Sequence, residues 1–325
     1  MPISNLAPSP ISSSSEQVHT ALDVRPSDAQ EVTQPRADPS KDNKTGYFYA
    51  PFASDDILKM VSGTNLSRDK AGKDLRSLIV ATNADKAELE IQKYQLAEKM
   101  YQEAGGLASG FNSYMADNDL SEDGFIAACG PDKFEDMLSA ASDHAWRADA
   151  LLRVNVISNE ETGILSTLKK GEDKLYIAGH GLQGAAGITS KTSSSENGYK
   201  VAWSQDIAKE LAHGGLNKSF SDIRVVSCFG ADARLPTSFA PEDLAIASET
   251  KINNFLFIEV NREQAFAQYL ANDLKKADFE HPEVSGYHGA GKGYSDDTHN
   301  YQSLSTTHGE EMVRSSSVRQ VFIPV

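Results

Sequence analysis

The chain has 325 residues, 31 of them basic and 46 acidic, and a formal net charge of −15. That balance excludes nucleic-acid binding through a broad electrostatic footprint. With no apolar run of about 18 residues, no membrane-spanning helix is expected. Two cysteines, Cys129 and Cys228, are too few for a disulfide scaffold or a cysteine-rich zinc site.

Residues 1–45 open with MPISNLAPSPISSSSEQ and hold few large apolar side chains. Such a segment cannot bury enough surface to offset its ordering entropy, so it is expected to be disordered. It lacks the basic start and apolar middle of a signal peptide. Polar, Ser-rich amino termini resemble the export signals of effectors injected by bacterial type III secretion. That resemblance implies delivery into a host cell cytoplasm and a secretion chaperone at the amino terminus; a plain flexible tail is the alternative.

Residues 46–74 suggest a helical lead-in of short helices and turns. LRSLIVAT (75–82) then has the composition of a buried strand, and Asn83 and Asp85 supply polar residues at a helix start. Ala87, Ile91, Tyr94, Ala97 and Tyr101 follow at helical spacing, with Gly105-Gly106 as the expected stop. Residues 107–150 are less regular and are expected to form an insertion. Within it, DNDLSEDGF (117–125) has clustered acids, but the glycine and terminal glutamate of a calcium loop are out of register, which leaves a solvated loop. Cys129 sits in a small-residue apolar patch and is expected in the core.

Further strands are expected at LLRVNVIS (151–158), KLYIAGHG (174–181), SDIRVVSCFG (221–230), EVSGYHG (283–289) and VRQVFIPV (318–325). Between the third and fourth strands a helix has Ser204 as its cap, Ile207 and Leu211 on one face, and Gly214-Gly215 at its end. Asn261 and Gln264 form a capping-box pattern before a helix whose Ala267, Leu270 and Leu274 share a face. The alternation predicts an α/β fold: a mostly parallel central sheet with helices on both faces.

In open parallel sheets, chemistry collects at the carboxyl ends of the strands. KLYIAGHG and SDIRVVSCFG end there, with a helix between them, so His180 and Cys228 are expected at one edge. A thiolate is the reactive form of cysteine, and an imidazole can take its proton or return it to a leaving amine. The N–H groups of Gly181 and Cys228 suit an oxyanion hole, and Gly230 frees the turn that follows. The dipeptide His-Gly recurs at His213, His288 and His308. His213 suits a helix end, His288 the substrate cleft and His308 a loop. Asp173, Asp222 and Asp232 are near in sequence, but nothing aims any of them at His180.

A strand ending His-Gly, followed after 48 residues by a strand ending Ser-Cys, resembles the caspase-like peptidases of clan CD. GHG with SCFG is most like the self-cleaving peptidase domains of large bacterial toxins. The resemblance covers residues 75–325. It implies a caspase-like three-layer sandwich and a dyad of His180 and Cys228. It also implies a cysteine endopeptidase that cleaves host protein, or itself, through a thioester, with neither metal nor cofactor. The caspase motif Gln-Ala-Cys-Arg-Gly is absent, so Asp specificity is not implied. Toxin domains of this group are switched on by inositol hexakisphosphate at a strongly basic site. Here Lys275, Lys276, Lys292, Arg314 and Arg319 form only a loose scatter. Loops 187–200 and 231–255 are placed to set specificity, and the first, rich in serine, is also a candidate self-processing site. Two other functions fit the same residues: an acyl transferase or transpeptidase, and a non-catalytic caspase-like binding module.

Overall fold

A computed structural model describes residues 44–119, 121–255, 258–292, 298–305 and 312–325. The amino-terminal segment expected to be disordered, up to residue 43, lies outside them, as does His308.

The first element is a strand, β1 (Thr45–Ala50), followed by helix α1 (Asp55–Lys70). Residues 46–74 are therefore not a lead-in of short helices and turns. Phe48 and Tyr49 of β1 are fully buried, and the strand lies inside the central sheet. Aromatic residues favour such a pleated, packed position. Next come β2 (Ser77–Val80) and a long helix α2 (Asn83–Asp117), capped by Thr82, whose hydroxyl accepts from the Asp85 N–H.

Helix α2 runs straight through Gly105-Gly106. Neither glycine meets a neighbour there, and Ala104 and Phe111 are buried on either side of them. Its partner is α4 (Pro131–Leu152), reached through the short α3 (Glu122–Cys129). Tertiary packing outweighs the local cost of glycine in the helix. Residues 107–150 are thus helical throughout most of their length. The buried face of α2 is Leu89, Lys93, Ala97, Met100, Ala104 and Phe111. Ile91 and Tyr94, expected inside, are 60% and 63% exposed. Lys93 hides the true stripe: its stem packs inward while its ammonium donates to the Val154 carbonyl. The Cys129 side chain lies outside the described residues.

After α4 the expected strand 151–158 shrinks to β3 (Val156–Ser158), because Leu151 and Leu152 end the helix. Two single-turn helices, α5 (Asn159–Thr162) and α6 (Ile164–Thr167), lead to β4 (Asp173–Ala178). A hairpin of β5 (Gly187–Thr189) and β6 (Val201–Trp203) precedes α7 (Ser204–His213) and β7 (Asp222–Val226). Ser204 is the first helical residue rather than the cap, and its hydroxyl donates to Asp273 at 2.6 Å. Helix α8 (Pro241–Ser248) and the hairpin β8 (Lys251–Phe255) with β9 (Ile258–Glu263) follow. Asn261 lies in β9, so no capping box forms. Helix α9 (Phe266–Lys276) starts without a side-chain cap, although Ala267, Leu270 and Leu274 are buried as expected. The chain ends through β10 (Glu283–Tyr287), a small sheet of β11 (Ala290–Gly291), β12 (Tyr301–Ser303) and β13 (Met312–Arg314), and β14 (Arg319–Phe322).

The seven-stranded sheet has the order β14-β10-β7-β4-β1-β2-β3. All neighbours are parallel except β14, which runs antiparallel to β10 at one edge. From β1 the chain winds outward through β2 to β3. It then crosses back and winds the other way through β4, β7 and β10. With right-handed crossovers, that reversal puts α1, α2 and α4 on one face and α7 and α9 on the other. The fold is a three-layer α/β sandwich. No helix among the described residues is long and apolar enough to cross a membrane.

Candidate active site

The reversal of winding falls between β1 and β4, which pair from Thr45↔Asp173 to Tyr49↔Ile177. Such a switch point opens a crevice at the carboxyl ends of the two strands, because their following segments leave in opposite directions. His180 follows β4 into that crevice, and α1 begins on its other side.

On the far side of β4, β7 pairs in parallel with the register Ala178↔Val226. His180 and Cys228 each lie two residues beyond this last pair, so both emerge at the same end of neighbouring strands. The two glycines around His180 have steric causes. A Cβ on Gly179 would sit 2.6 Å from Ile188 of β5, and one on Gly181 would sit 2.5 Å from the Cys228 carbonyl oxygen. The histidine backbone is fixed by exchange with Thr189, its N–H donating at 2.9 Å and its carbonyl accepting at 2.8 Å. The hairpin β5–β6 therefore holds the His180 backbone in place.

Asp56 faces the ring. Its Oδ2 lies 3.7 Å from His180 Nε2, an ion-pair distance that exceeds a hydrogen bond. The ring nitrogen is buried and has no hydrogen-bond partner. Asp56 is placed by the start of α1. Ser54 caps the helix by accepting from the Asp56 N–H, and its own hydroxyl donates to the Ser190 carbonyl beyond β5. The His180 ring beside it, and then Lys59 at 2.9 Å, hold the Asp56 carboxyl well below the usual carboxylate range. Asp55 next to it pairs with Lys59 and Lys191, which ties α1 to the loop after β5.

Cys228 is half-buried. Burial pushes its thiol up from the ordinary value, against the opposing pull of the Gly291 backbone N–H and the Lys292 charge. Among the described residues, neither the Gly181 nor the Cys228 N–H donates to a backbone carbonyl. The Cys228 N–H bears instead on its own thiol, which it helps to pull down. The next residue, Phe229, has a positive φ of 57°, an uncommon setting for a bulky side chain, and its N–H donates to the Gly289 carbonyl at 2.6 Å. Gly230 turns against Gly286, where an added Cβ would meet the Gly230 carbonyl carbon at 2.6 Å.

That turn is braced from behind. Asp232 is fully buried; its carboxylate meets His288 Nδ1 at 2.5 Å and accepts from the Gly289 N–H at 2.8 Å. His288 Nε2 meets Gln320 Oε1 at 3.1 Å, and Gln320 donates to Ser248. His288 therefore does not line a cleft. It is 2% exposed, covered by β14, and serves as a structural link. His213 is exposed at the end of α7, as its position in sequence suggests. Asp222 is spent on Arg224 and Lys44, and Asp173 on the Lys169 backbone. Lys275 and Lys276 are engaged by the Glu280 carbonyl and Asp273. No group of three His, Cys, Asp or Glu suited to a metal ion occurs among the described residues.

The structure thus sets His180 and Cys228 at the same end of neighbouring strands, packs Gly181 against the Cys228 carbonyl, and adds beside His180 the carboxylate of Asp56, which sequence reasoning missed. Its signal was present: the aromatic stretch TGYFYA, then Ser54 before two acids, is the pattern of a strand leading to a capped helix start. No family model, no curated protein and no solved structure matches the chain. The likeness to caspase-like peptidases therefore rests on the residues and their placement alone.

Proposed function

We propose that the chain is a cysteine endopeptidase of caspase-like type. The observation that carries this reading is the emergence of His180 and Cys228 from the ends of adjacent parallel strands, at a switch point, with Asp56 behind the imidazole. Asp56 stands on the Nε2 side, which leaves Nδ1 to take the thiol proton. The thiolate attacks a peptide carbonyl, and the N–H groups of Gly181 and Cys228 receive the oxyanion. The imidazolium returns its proton to the leaving amine, and a thioester remains on Cys228. Water, deprotonated by the same imidazole, then releases the acid and regenerates the thiol. The polar, Ser-rich amino terminus supports export into a host cell, where the substrate is a host protein or the chain itself.

A second reading is favoured by one observation. The burial that raises the Cys228 thiol suits a non-catalytic module as well as a resting enzyme. A library of peptides carrying a carbon electrophile at the scissile position separates the two. Covalent labelling at Cys228 that is saturable, peptide-dependent and lost in His180→Ala supports the peptidase. Labelling that ignores the peptide sequence and survives in His180→Ala supports the binding module.

A further inference from the structure

The loop that closes the hairpin β5–β6 contains Asn197-Gly198, and no other asparagine of the chain precedes a glycine. The pair forms the middle of a four-residue turn, closed by the Tyr199 N–H donating to the Glu196 carbonyl at 3.2 Å. Gly198 has a φ of 76°, while Asn197 is not at positive φ. That is the setting of a type II turn, whose third position favours glycine.

Three observations leave the Asn197 side chain within reach of the next backbone nitrogen. Both residues are exposed. A Cβ placed on Gly198 would meet nothing within 4 Å, so the two residues can close into a ring without touching a neighbour. Among the described residues, neither the Asn197 carboxamide nor the Gly198 N–H has a hydrogen-bond partner. The polar groups on either side are committed. The Glu196 carboxylate accepts from the Thr192 hydroxyl at 3.0 Å and the Ser193 N–H at 2.9 Å. The Ser190 hydroxyl donates to the Gly198 carbonyl at 3.0 Å and accepts from the Lys200 N–H at 2.8 Å. These bonds hold the flanks of the turn and leave its middle unheld.

Asn112 supplies the contrast. It too is exposed and precedes a small residue, Ser113, but both lie inside α2, where the backbone N–H is engaged along the helix.

We propose that Asn197-Gly198 is a site of spontaneous covalent modification, with water as the co-reactant. The Gly198 nitrogen loses its proton to solvent and attacks Cγ of Asn197. A C–N bond forms, the Cγ–Nδ2 bond breaks, and ammonia leaves with a proton taken from solvent. The product is a five-membered succinimide. Water then adds to one ring carbonyl or the other, giving aspartate or isoaspartate. Each product carries one new negative charge. Isoaspartate also lengthens the backbone by a methylene, next to the carbonyl that Ser190 holds.

Peptide mapping by mass spectrometry of the full chain, kept for days in mildly alkaline buffer, tests this. A free peptide of residues 192–200 under the same conditions serves as the clock. The segment containing Asn197 is expected to split into two acidic isomers separable by chromatography. Its rate should lie within about tenfold of the free peptide, because exposed loop tips are weakly held. Asn112 should stay unchanged. Gly198→Ala, with a thermal transition showing that it is folded, should slow conversion about tenfold or more, because a Cβ crowds the attacking nitrogen and disfavours positive φ. The proposal is overturned if Asn197 is intact once the free peptide has converted, if Asn112 converts as fast, or if Gly198→Ala leaves the rate unchanged.

Discussion

Oδ2 of Asp56 stands 3.7 Å from Nε2 of His180, across the crevice where the winding of the sheet reverses. Both side chains are largely shielded, at 17% and 23% exposed, so the charge of one is felt by the other with little screening. Asp56 reaches the ring because Ser54 caps α1 and anchors the cap to Ser190. At that distance the carboxylate faces the ring without a hydrogen bond.

Asp56→Asn is expected to lower kcat about 10- to 100-fold with a small change in KM, since it removes orientation and charge but not substrate contact. The stability effect has a definite pH window. The folded Asp56 carboxyl titrates well below its unfolded value, so its contribution is present above about pH 4 and is lost as pH falls through the folded value. Thermal transitions of wild type and Asp56→Asn should therefore differ by a constant amount at neutral pH and converge in strong acid.

The Cys228 thiol is raised by burial, so the resting protein holds it neutral at pH 7. Its alkylation by iodoacetamide should be slow in mild acid and climb with pH past the range of a free cysteine. Lys292 pulls the thiol down, so Lys292→Ala should shift that rise to higher pH. Mass-resolved rates for Cys228 and Cys129 measure this. A Cys228 rate already at its plateau in mild acid would contradict the neutral resting thiol.

Glycines of this chain differ sharply in what they permit. An alanine Cβ at Gly181 would press on the Cys228 carbonyl, which is backbone and has nowhere to turn. Gly181→Ala should cost about 1–3 kcal/mol and, by moving an oxyanion donor, reduce cleavage by roughly 100-fold. Gly105 of α2 faces open space, so Gly105→Ala should stabilise by about 0.5–1 kcal/mol. Urea unfolding of both variants checks the opposite signs.

Asp232 and His288 link the turn after Cys228 to β14 from inside the core. Removing either leaves the other buried without its partner, at a cost of about 3 kcal/mol or more. Asp232→Ala combined with His288→Ala should be markedly less destabilising than the summed single changes. Additive losses in urea unfolding would show that the pair does not act as a unit.

Much of the sheet was legible because aliphatic runs ended by glycine mark buried strands and their turns. That pattern located β4 and β7 and, with them, His180 and Cys228. β1 escaped it, since TGYFYA is aromatic rather than aliphatic and a Pro-Phe-Ala linker blurs its end. With β1 went Asp56, which only the pairing of β1 with β4 brings to the histidine. The inner face of α2 was misplaced because a lysine occupies one of its core positions, and Gly105-Gly106 signalled an end that packing against α4 overrides. His288 follows a strand just as His180 does. Local sequence could not separate them, because what differs is the cover that β14 lays over His288.

The most direct test of the central claim is amino-terminal sequencing by mass spectrometry of a eukaryotic cell lysate treated with wild type, Cys228→Ala or His180→Ala. New peptide amino termini that appear with wild type alone are the result expected of a Cys-His peptidase, and the residues before them give its specificity. New termini that persist in either variant would contradict the dyad. None from a folded wild type that also fails to label with peptide electrophiles would contradict the peptidase itself.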